Sequence, residues 1–499
     1  MSERIANAEL AAKVMSADEA AEFVNHGDKV GMSGFTGAGY PKALPAAIAA
    51  KAKTAQGAGG EFKIDVFTGA STADAADGVL AEADAIGFRT PYNSDRTLRG
   101  QFNQGQAHYS DIHLSHLGQQ VQQGFFGNMD VAIIECTKIN EDGSLVPSSA
   151  VGNNVEYADA ADRIILEVNS WQSLNLEGMH DIYAPEQLWD RTPIEINDVG
   201  DRIGETVQRI DLSKVVAVVE TDDADRNTSF KEPDDVSKQI AANFLQFLED
   251  EVAAGRLTYD NYIMQSGVGN VPNAVMAGLL DSKFENITAY TEVIQDGMLD
   301  LIDAGKMGMA SATSFSLSPE YAEKMNEKAD FYRQHIILRP QAISNHPEVI
   351  RRVGLIASNG LIEADIYGNV NSTNVSGSKV MNGIGGSGDF TRNAYISSFV
   401  TPSVAKDGAI SCIVPFSSHI DHTEHDAMVF VTEYGYADLR GLSPRQRAEK
   451  MIAVAHPDYR PLLREYVERA NELGGHTPHD LATAFEFHTR LAQTGTMKK

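Results

Sequence analysis

The stretch Ala289-Tyr290-Thr291-Glu292-Val293-Ile294-Gln295-Asp296-Gly297 ends an apolar, β-prone run in a carboxylate and then a turn. Upstream of it lies a glycine loop, Gln265-Ser266-Gly267-Val268-Gly269-Asn270. Glutamate, with a reference pKa near ~4.3, is ionised at neutral pH and needs no general base to act as a nucleophile, unlike serine or cysteine. A carboxylate that attacks an acyl thioester makes an anhydride, and the expelled thiolate can return to the glutamyl carbonyl. The loop offers what that chemistry needs beside it, backbone N–H groups without side-chain obstruction. Taken alone, the motif equally fits a strand-end glutamate that caps a helix or faces solvent.

Two other patterns carry chemistry of their own. Met381-Asn382-Gly383-Ile384-Gly385-Gly386-Ser387-Gly388-Asp389-Phe390 is a second glycine-rich loop, able to approach an anion closely or simply to turn the chain. Gly34-Phe35-Thr36-Gly37-Ala38-Gly39 lacks the glycine order of a dinucleotide fingerprint, so no nicotinamide cofactor is expected. The cluster His419, Asp421, His422, Glu424, His425 and Asp426 has ligand types at metal-like spacings but matches no zinc signature; polar packing is expected there, and no metal.

These groups need a large scaffold. At 499 residues the chain exceeds the ~250–300 residues at which one core stops growing, so two or three domains are expected. Short apolar runs such as Lys29–Met32, Ile64–Phe67, Val131–Glu135, Arg163–Val168 and Val215–Val219 alternate with helical patterns, which predicts α/β architecture with largely parallel sheets. The chain also repeats itself weakly but in order. Gly37–Leu44 matches Gly267–Val275, Phe67-Thr68-Gly69 matches Tyr290-Thr291-Glu292, and Ile134-Glu135 matches Ile362-Glu363. Two tandem, related α/β domains follow, residues 1–220 and 236–499, joined by a polar, acidic linker over 221–235, with the active site expected at the domain interface and the nucleophile in the later copy.

The net charge of −28 (41 basic against 69 acidic residues) repels phosphate backbones and anionic membranes, so neither is an expected partner, and an anionic ligand would need local donors. Cys136 and Cys412 sit in apolar runs and read as buried free thiols, pointing to a reducing, cytoplasmic setting. No signal-like or membrane-spanning run is seen.

Together, the loop Gln265–Asn270, the run Tyr290–Gly297, the segment Gly383–Phe390 and Val431-Thr432-Glu433-Tyr434-Gly435 resemble the class I coenzyme A transferases of the acetyl-CoA hydrolase/transferase family. The likeness extends from Ser33–Pro41 to His476–His479. It implies that Glu292 is the nucleophile, acylated first and then thioesterified by coenzyme A, with the backbone N–H groups of Val268 and Gly386 as oxyanion donors. It further implies that Asn345 and Glu433 hold the exchanged carboxylate, with Arg226 assisting. Coenzyme A, a substrate with no tightly bound cofactor beside it, would run along Gln265, Ser266, Gly267, Val268 and Gly269, pass Ile362, Asn382 and Gly386, and meet Lys406. Ser71 and Tyr92 are candidates for shaping the acid pocket. The implied activity is acyl-CoA:carboxylate transfer, with succinyl-CoA and acetate the favoured pair, in a homodimer. Hydrolysis of acetyl-CoA or another short acyl-CoA by the same glutamate is the alternative, because only exclusion of water separates the two. A non-catalytic CoA- or anion-binding module on the same fold is a third reading. One carboxylate holding another beside Glu292 also leads to the expectation that Glu433 shares a proton with the bound acid.

Overall fold

A computed structural model describes residues 3–186, 188–226 and 232–499. Of the expected 221–235 linker, residues 227–231 lie outside the described residues; at its far end Asp234 caps the helix Asp235–Ala253 by accepting the Ser237 N–H at 2.8 Å.

By contact density the chain forms two units. The first comprises residues 1–229, 289–302 and 308–353, and the second 230–288, 303–307 and 354–499. The first is built on β1 (Lys29–Met32), β2 (Ile64–Ala70), β3 (Ile86–Tyr92), β4 (His108–Tyr109), β5 (Met129–Ile139), β6 (Leu145–Pro147), β7 (Ala161–Asn169) and β8 (Val215–Thr221). Their order is β4-β3-β2-β1-β5-β7-β8, parallel throughout, with β6 antiparallel on β5. A parallel sheet must bury both faces, and β5 shows how the sequence does so. Val131 and Ile133 pack with Leu44 and Ile48 in one core, while the alternating Ala132 and Ile134 pack with Leu117 and Val121 in another. Each fully buried Leu, Ile or Val of this kind contributes about 1.5–3 kcal/mol.

The helix Leu44–Gly57 begins without a capping side chain of its own. Glu167, at the end of β7, substitutes for one. Its buried carboxylate accepts the N–H groups of Lys42 at 2.5 Å, Ala43 at 3.1 Å and Leu44 at 2.7 Å.

In the second unit, the strands Ile263–Ser266, Ile356–Asn359, Ile396–Val400 and Val429–Thr432 lie side by side in that order, all parallel, and Gly435–Asp438 adds an antiparallel edge. This parallel run of four repeats that of β1-β5-β7-β8, so the internal echo in the sequence is an echo of architecture. Phe399, Phe430, Met451, Leu463, Tyr466 and Phe487 fill one core of this unit. Among the described residues no helix is long and apolar enough to cross a membrane.

The segmentation read from sequence keeps 236–499 together, whereas contacts group Glu292 and Asn345 with the first unit. Thr313 N–H donates to Glu292 O at 2.9 Å, and Val293–Gln295 pairs in parallel with Ser314–Ser316. That strand is tied to the N-terminal half through Phe315 N–H to Ser149 O at 3.1 Å. Pairing between segments so distant in sequence leaves no mark in a linear reading.

Candidate functional site

Open α/β sheets gather ligands outside the carboxyl ends of their parallel strands. In the second unit, four neighbouring strands deliver candidate residues at that edge. Gly267, Val268 and Gly269 follow Ile263–Ser266, and Ile362 follows Ile356–Asn359. Lys406 sits at the tip of the short hairpin that follows Ile396–Val400, and Glu433 follows Val429–Thr432 at once. Gly386 lies at the start of the helix Ser387–Asn393, which leads back into Ile396–Val400.

The first loop is held from below. Gln265 is buried; its Oε1 accepts the Ser358 N–H at 3.2 Å and its amide donates to Asn359 Oδ1 at 3.3 Å. Gly267 N–H donates to Ser358 O at 3.0 Å, and Gly269, at φ 145°, turns the chain into the helix Asn270–Leu280. A side chain at that φ would strain the turn, which explains the glycine. Val268 at the crest is half exposed, Ser266 is buried, and Asn382 and Ile362 are partly buried.

Glu433 is partly buried and receives both donors of one residue: Ser403 N–H at 2.9 Å on Oε2 and Ser403 Oγ–H at 2.5 Å on Oε1. Both Glu433 oxygens are thus met by donors from one residue, which anchors the side chain. Ser403 also closes the hairpin whose strands Val404–Ala405 and Ile410–Ser411 flank the exposed Lys406.

In the first unit, Glu292 is half-buried, and Asn345 Nδ2 donates to its Oε1 at 2.8 Å. Asn345 is fully buried and its Oδ1 accepts from Ser344 Oγ at 2.9 Å. The backbone of Glu292 joins a larger framework. Thr36 Oγ1 donates to Phe315 O at 2.8 Å and Ser314 Oγ to Phe35 O at 3.0 Å, linking the Gly34–Gly39 loop to the strand beside Glu292. Thr36 is bridged in turn to Ser71, a buried residue just past β2.

Arg226 joins the same loop through its N–H, which donates to Gly37 O at 2.9 Å, while its side chain is exposed. Beneath it lies a buried charge cluster. Lys42 Nζ pairs with Glu135 and Asp225, each at 2.8 Å, and Asp225 also accepts Gly39 N–H at 3.0 Å. Burial, opposed by Lys42, raises Glu135 to about 7.

Ser403, Ser344, Thr313, Lys42 and Asp225 are the supporting residues that motif reading misses. Of the histidine cluster, Asp421 and His422 are tied into the surrounding structure, while His425 is exposed and His419 about two-fifths exposed. Asp421 accepts from Thr373 Oγ1 at 2.9 Å and Ser372 N–H at 2.7 Å, and His422 Nε2 lies 3.0 Å from Ser387 Oγ. Among the described residues no group of three His, Cys, Asp or Glu side chains is placed to hold a metal ion. Cys136 and Cys412 are both buried free thiols.

The chain belongs to the acetyl-CoA hydrolase/transferase family: the family's N-terminal domain profile matches residues 1–220 and its C-terminal domain profile residues 322–467. It is therefore an enzyme of the CoA-transferase class. It is 48% identical to the succinyl-CoA:acetate CoA-transferase of Clostridium kluyveri, over 99% of this chain and 92% of that one. It is 44% identical to an acetyl-CoA hydrolase of Schizosaccharomyces pombe, over 100% and 98% of the two chains. The solved structure of RipA from Yersinia pestis shares the fold with a TM-score of 0.72 at 22% identity, covering 93% of this chain and 98% of RipA.

Proposed function

We propose that the protein is an acyl-CoA:carboxylate CoA-transferase that converts succinyl-CoA and acetate to acetyl-CoA and succinate, with Glu292 as nucleophile. The observation that carries this reading is the Asn345 amide on Glu292 Oε1 at 2.8 Å, which orients one carboxylate oxygen. A Glu292 oxygen attacks the succinyl thioester carbonyl; the C–S bond breaks, leaving a succinyl-glutamyl anhydride and CoA thiolate. The thiolate attacks the glutamyl carbonyl of the anhydride and expels succinate, forming the glutamyl-CoA thioester. Acetate then attacks that thioester and releases the thiolate, which takes the acetyl group and regenerates Glu292. Each attack builds an oxyanion, for which the N–H groups of Val268 and Gly386 are the assigned donors, worth ~3 kcal/mol apiece.

Gln265, Ser266, Gly267, Gly269, Ile362, Asn382 and Lys406 are assigned to coenzyme A, and Asn345, Glu433, Arg226 and Ser71 to the exchanged acid. The clustering of the first group at one sheet edge supports this. The reading includes coenzyme A as substrate with no tightly bound cofactor, a cytoplasmic setting and a homodimer. Hydrolysis is the second reading, favoured by the 44% identity to a protein named acetyl-CoA hydrolase; there water takes the place of acetate.

Intact mass after mixing the protein with succinyl-CoA and no acceptor tests the covalent step. A CoA-sized adduct, absent in Glu292→Ala, is expected; an inactive, unmodified wild type defeats it. Turnover with and without acetate separates transfer from hydrolysis.

A further inference from the structure

Residues 468–499 lie beyond the stretch matched by the family's C-terminal profile, yet they support the edge of the second unit assigned to coenzyme A. His488 Nε2 lies 2.8 Å from Glu363 Oε2, next in sequence to Ile362, and both side chains are nearly buried. Further along, Met497 is 1% exposed and packs into the core around Phe430 and Tyr459. Its N–H donates to Ala409 O at 2.8 Å, its sulfur accepts the Ser411 N–H at 3.4 Å, and Thr496 Oγ1 donates to Ala409 O at 3.2 Å. Arg490 Nη1 holds the Met497 carbonyl at 2.6 Å.

Ala409 and Ser411 belong to the hairpin that carries Lys406. Its tip is built from three successive left-handed residues, Lys406 at φ 48°, Asp407 at 52° and Gly408 at 84°. Two adjacent side-chain-bearing residues rarely hold that conformation unless their surroundings impose it. The surroundings here are Met497 and Thr496 on one arm and Tyr459, whose hydroxyl donates to Gly408 O at 2.8 Å. Lys498 continues past the same turn: its Nζ would stand 3.6 Å from a Cβ on Gly408, and it pairs with Asp458 at 2.6 Å.

We propose that residues 490–498 are a positioning element for coenzyme A, pinning the hairpin so that the Lys406 turn presents its ammonium to the anionic end of the substrate. This rests on the assignment of Lys406 to coenzyme A. Met497 and Thr496 act through the hairpin and touch no substrate atom.

The test compares Met497→Ala, Met497→Leu, Lys406→Ala and the Met497→Ala/Lys406→Ala pair with the wild-type enzyme, reading kcat, KM for succinyl-CoA and for acetate, and the dissociation constant of free CoA by calorimetry. Lys406→Ala is expected to weaken CoA and raise its thioester KM about tenfold, with Met497→Ala producing a comparable rise and kcat within about twofold. The pair should be no worse than Lys406→Ala alone, since both remove one interaction, and Met497→Leu, which refills the socket, should stay near wild type. A folded Met497→Ala enzyme with unchanged CoA affinity, or multiplying effects in the pair, overturns the inference. Lys406→Ala without effect overturns the Lys406 assignment and the inference with it, and that single variant tells this failure from a failure of the tail alone.

Discussion

Asn345 grips Glu292 through a hydrogen bond, Nδ2 to Oε1 at 2.8 Å, and Ser344 Oγ meets the other end of the amide at 2.9 Å. Replacing Asn345 with Ala should slow the covalent step roughly tenfold to a hundredfold, the cost of losing one charge-assisted hydrogen bond of ~1.5–3 kcal/mol. Asn345→Asp should be worse at neutral pH, because two carboxylates in that contact must share a proton and the nucleophile is then no longer ionised. Its rate of adduct formation, followed by rapid-quench mass measurement, should recover as pH rises, while that of Asn345→Ala should not. A pH-independent Asn345→Asp would remove the oriented-carboxylate argument.

Ser403 makes a parallel case at Glu433. Since it donates to both oxygens, Ser403→Ala should loosen the carboxylate and raise KM for acetate severalfold, in proportion to one lost hydrogen bond of about 1 kcal/mol. Glu433→Gln should keep part of its acetate binding and Glu433→Ala lose it. Equal losses in both, measured as the acetate dependence of transfer, would remove the shared-proton idea for Glu433.

Much of this was legible in the residues. Alternating apolar runs announced the parallel sheets, and the glycine spacings marked the loops at their carboxyl ends. Gly69, aligned with Glu292 in the earlier copy, proves sterically closed: a Cβ there would lie 2.7 Å from Gly34 O and 2.8 Å from Phe35 Cδ2. One copy alone therefore has room for a carboxylate. What stayed hidden depends on side chains meeting across long sequence gaps. Thr313 under the Glu292 carbonyl, Ser403 on Glu433 and the Lys42-Glu135-Asp225 cluster are polar residues of common type, with no spacing to betray them.

Glu251 should dominate the acid limb of stability. This buried carboxylate accepts two guanidinium groups, Arg256 at 2.7 and 2.8 Å and Arg440 at 2.6 and 3.0 Å. The Arg256 hydrogen bonds, against the opposing effect of burial and with help from Arg440, hold it down at about 2. A depressed acid stabilises the fold above its unfolded pKa near ~4.5 and loses that contribution as pH falls through about 2; allowing for the partly exposed arginines, it amounts to about 2 kcal/mol. Glu251→Gln should lower the urea midpoint clearly at pH 7, and the gap from wild type should narrow as the pH falls from 5 toward 2.

Glu156 should act with the opposite sign. It is 2% exposed, sits against Gly118 of the helix Leu114–Gln122, and among the described residues its Oε2 has no hydrogen-bond partner. Burial, with a minor contribution from Asp159, raises it to about 7. Because the folded pKa lies above the unfolded one, the native state holds the proton more tightly. The stabilisation is complete below about 4.5 and disappears as pH rises through about 7, a swing on the order of 3 kcal/mol. Glu156→Gln keeps the shape and removes the ionisation, so its stability should decline less between pH 5 and pH 8.5 than that of wild type, with the variant ahead at the alkaline end. The same helix receives Gln341 Nε2 on Leu114 O at 2.8 Å, and Gln341 O in turn accepts the Asn345 N–H at 3.0 Å. Loosening by an ionised Glu156 should thus reach the residue that orients Glu292. Parallel alkaline slopes of the wild-type and Glu156→Gln denaturation midpoints would show that this carboxyl is not held neutral by its burial.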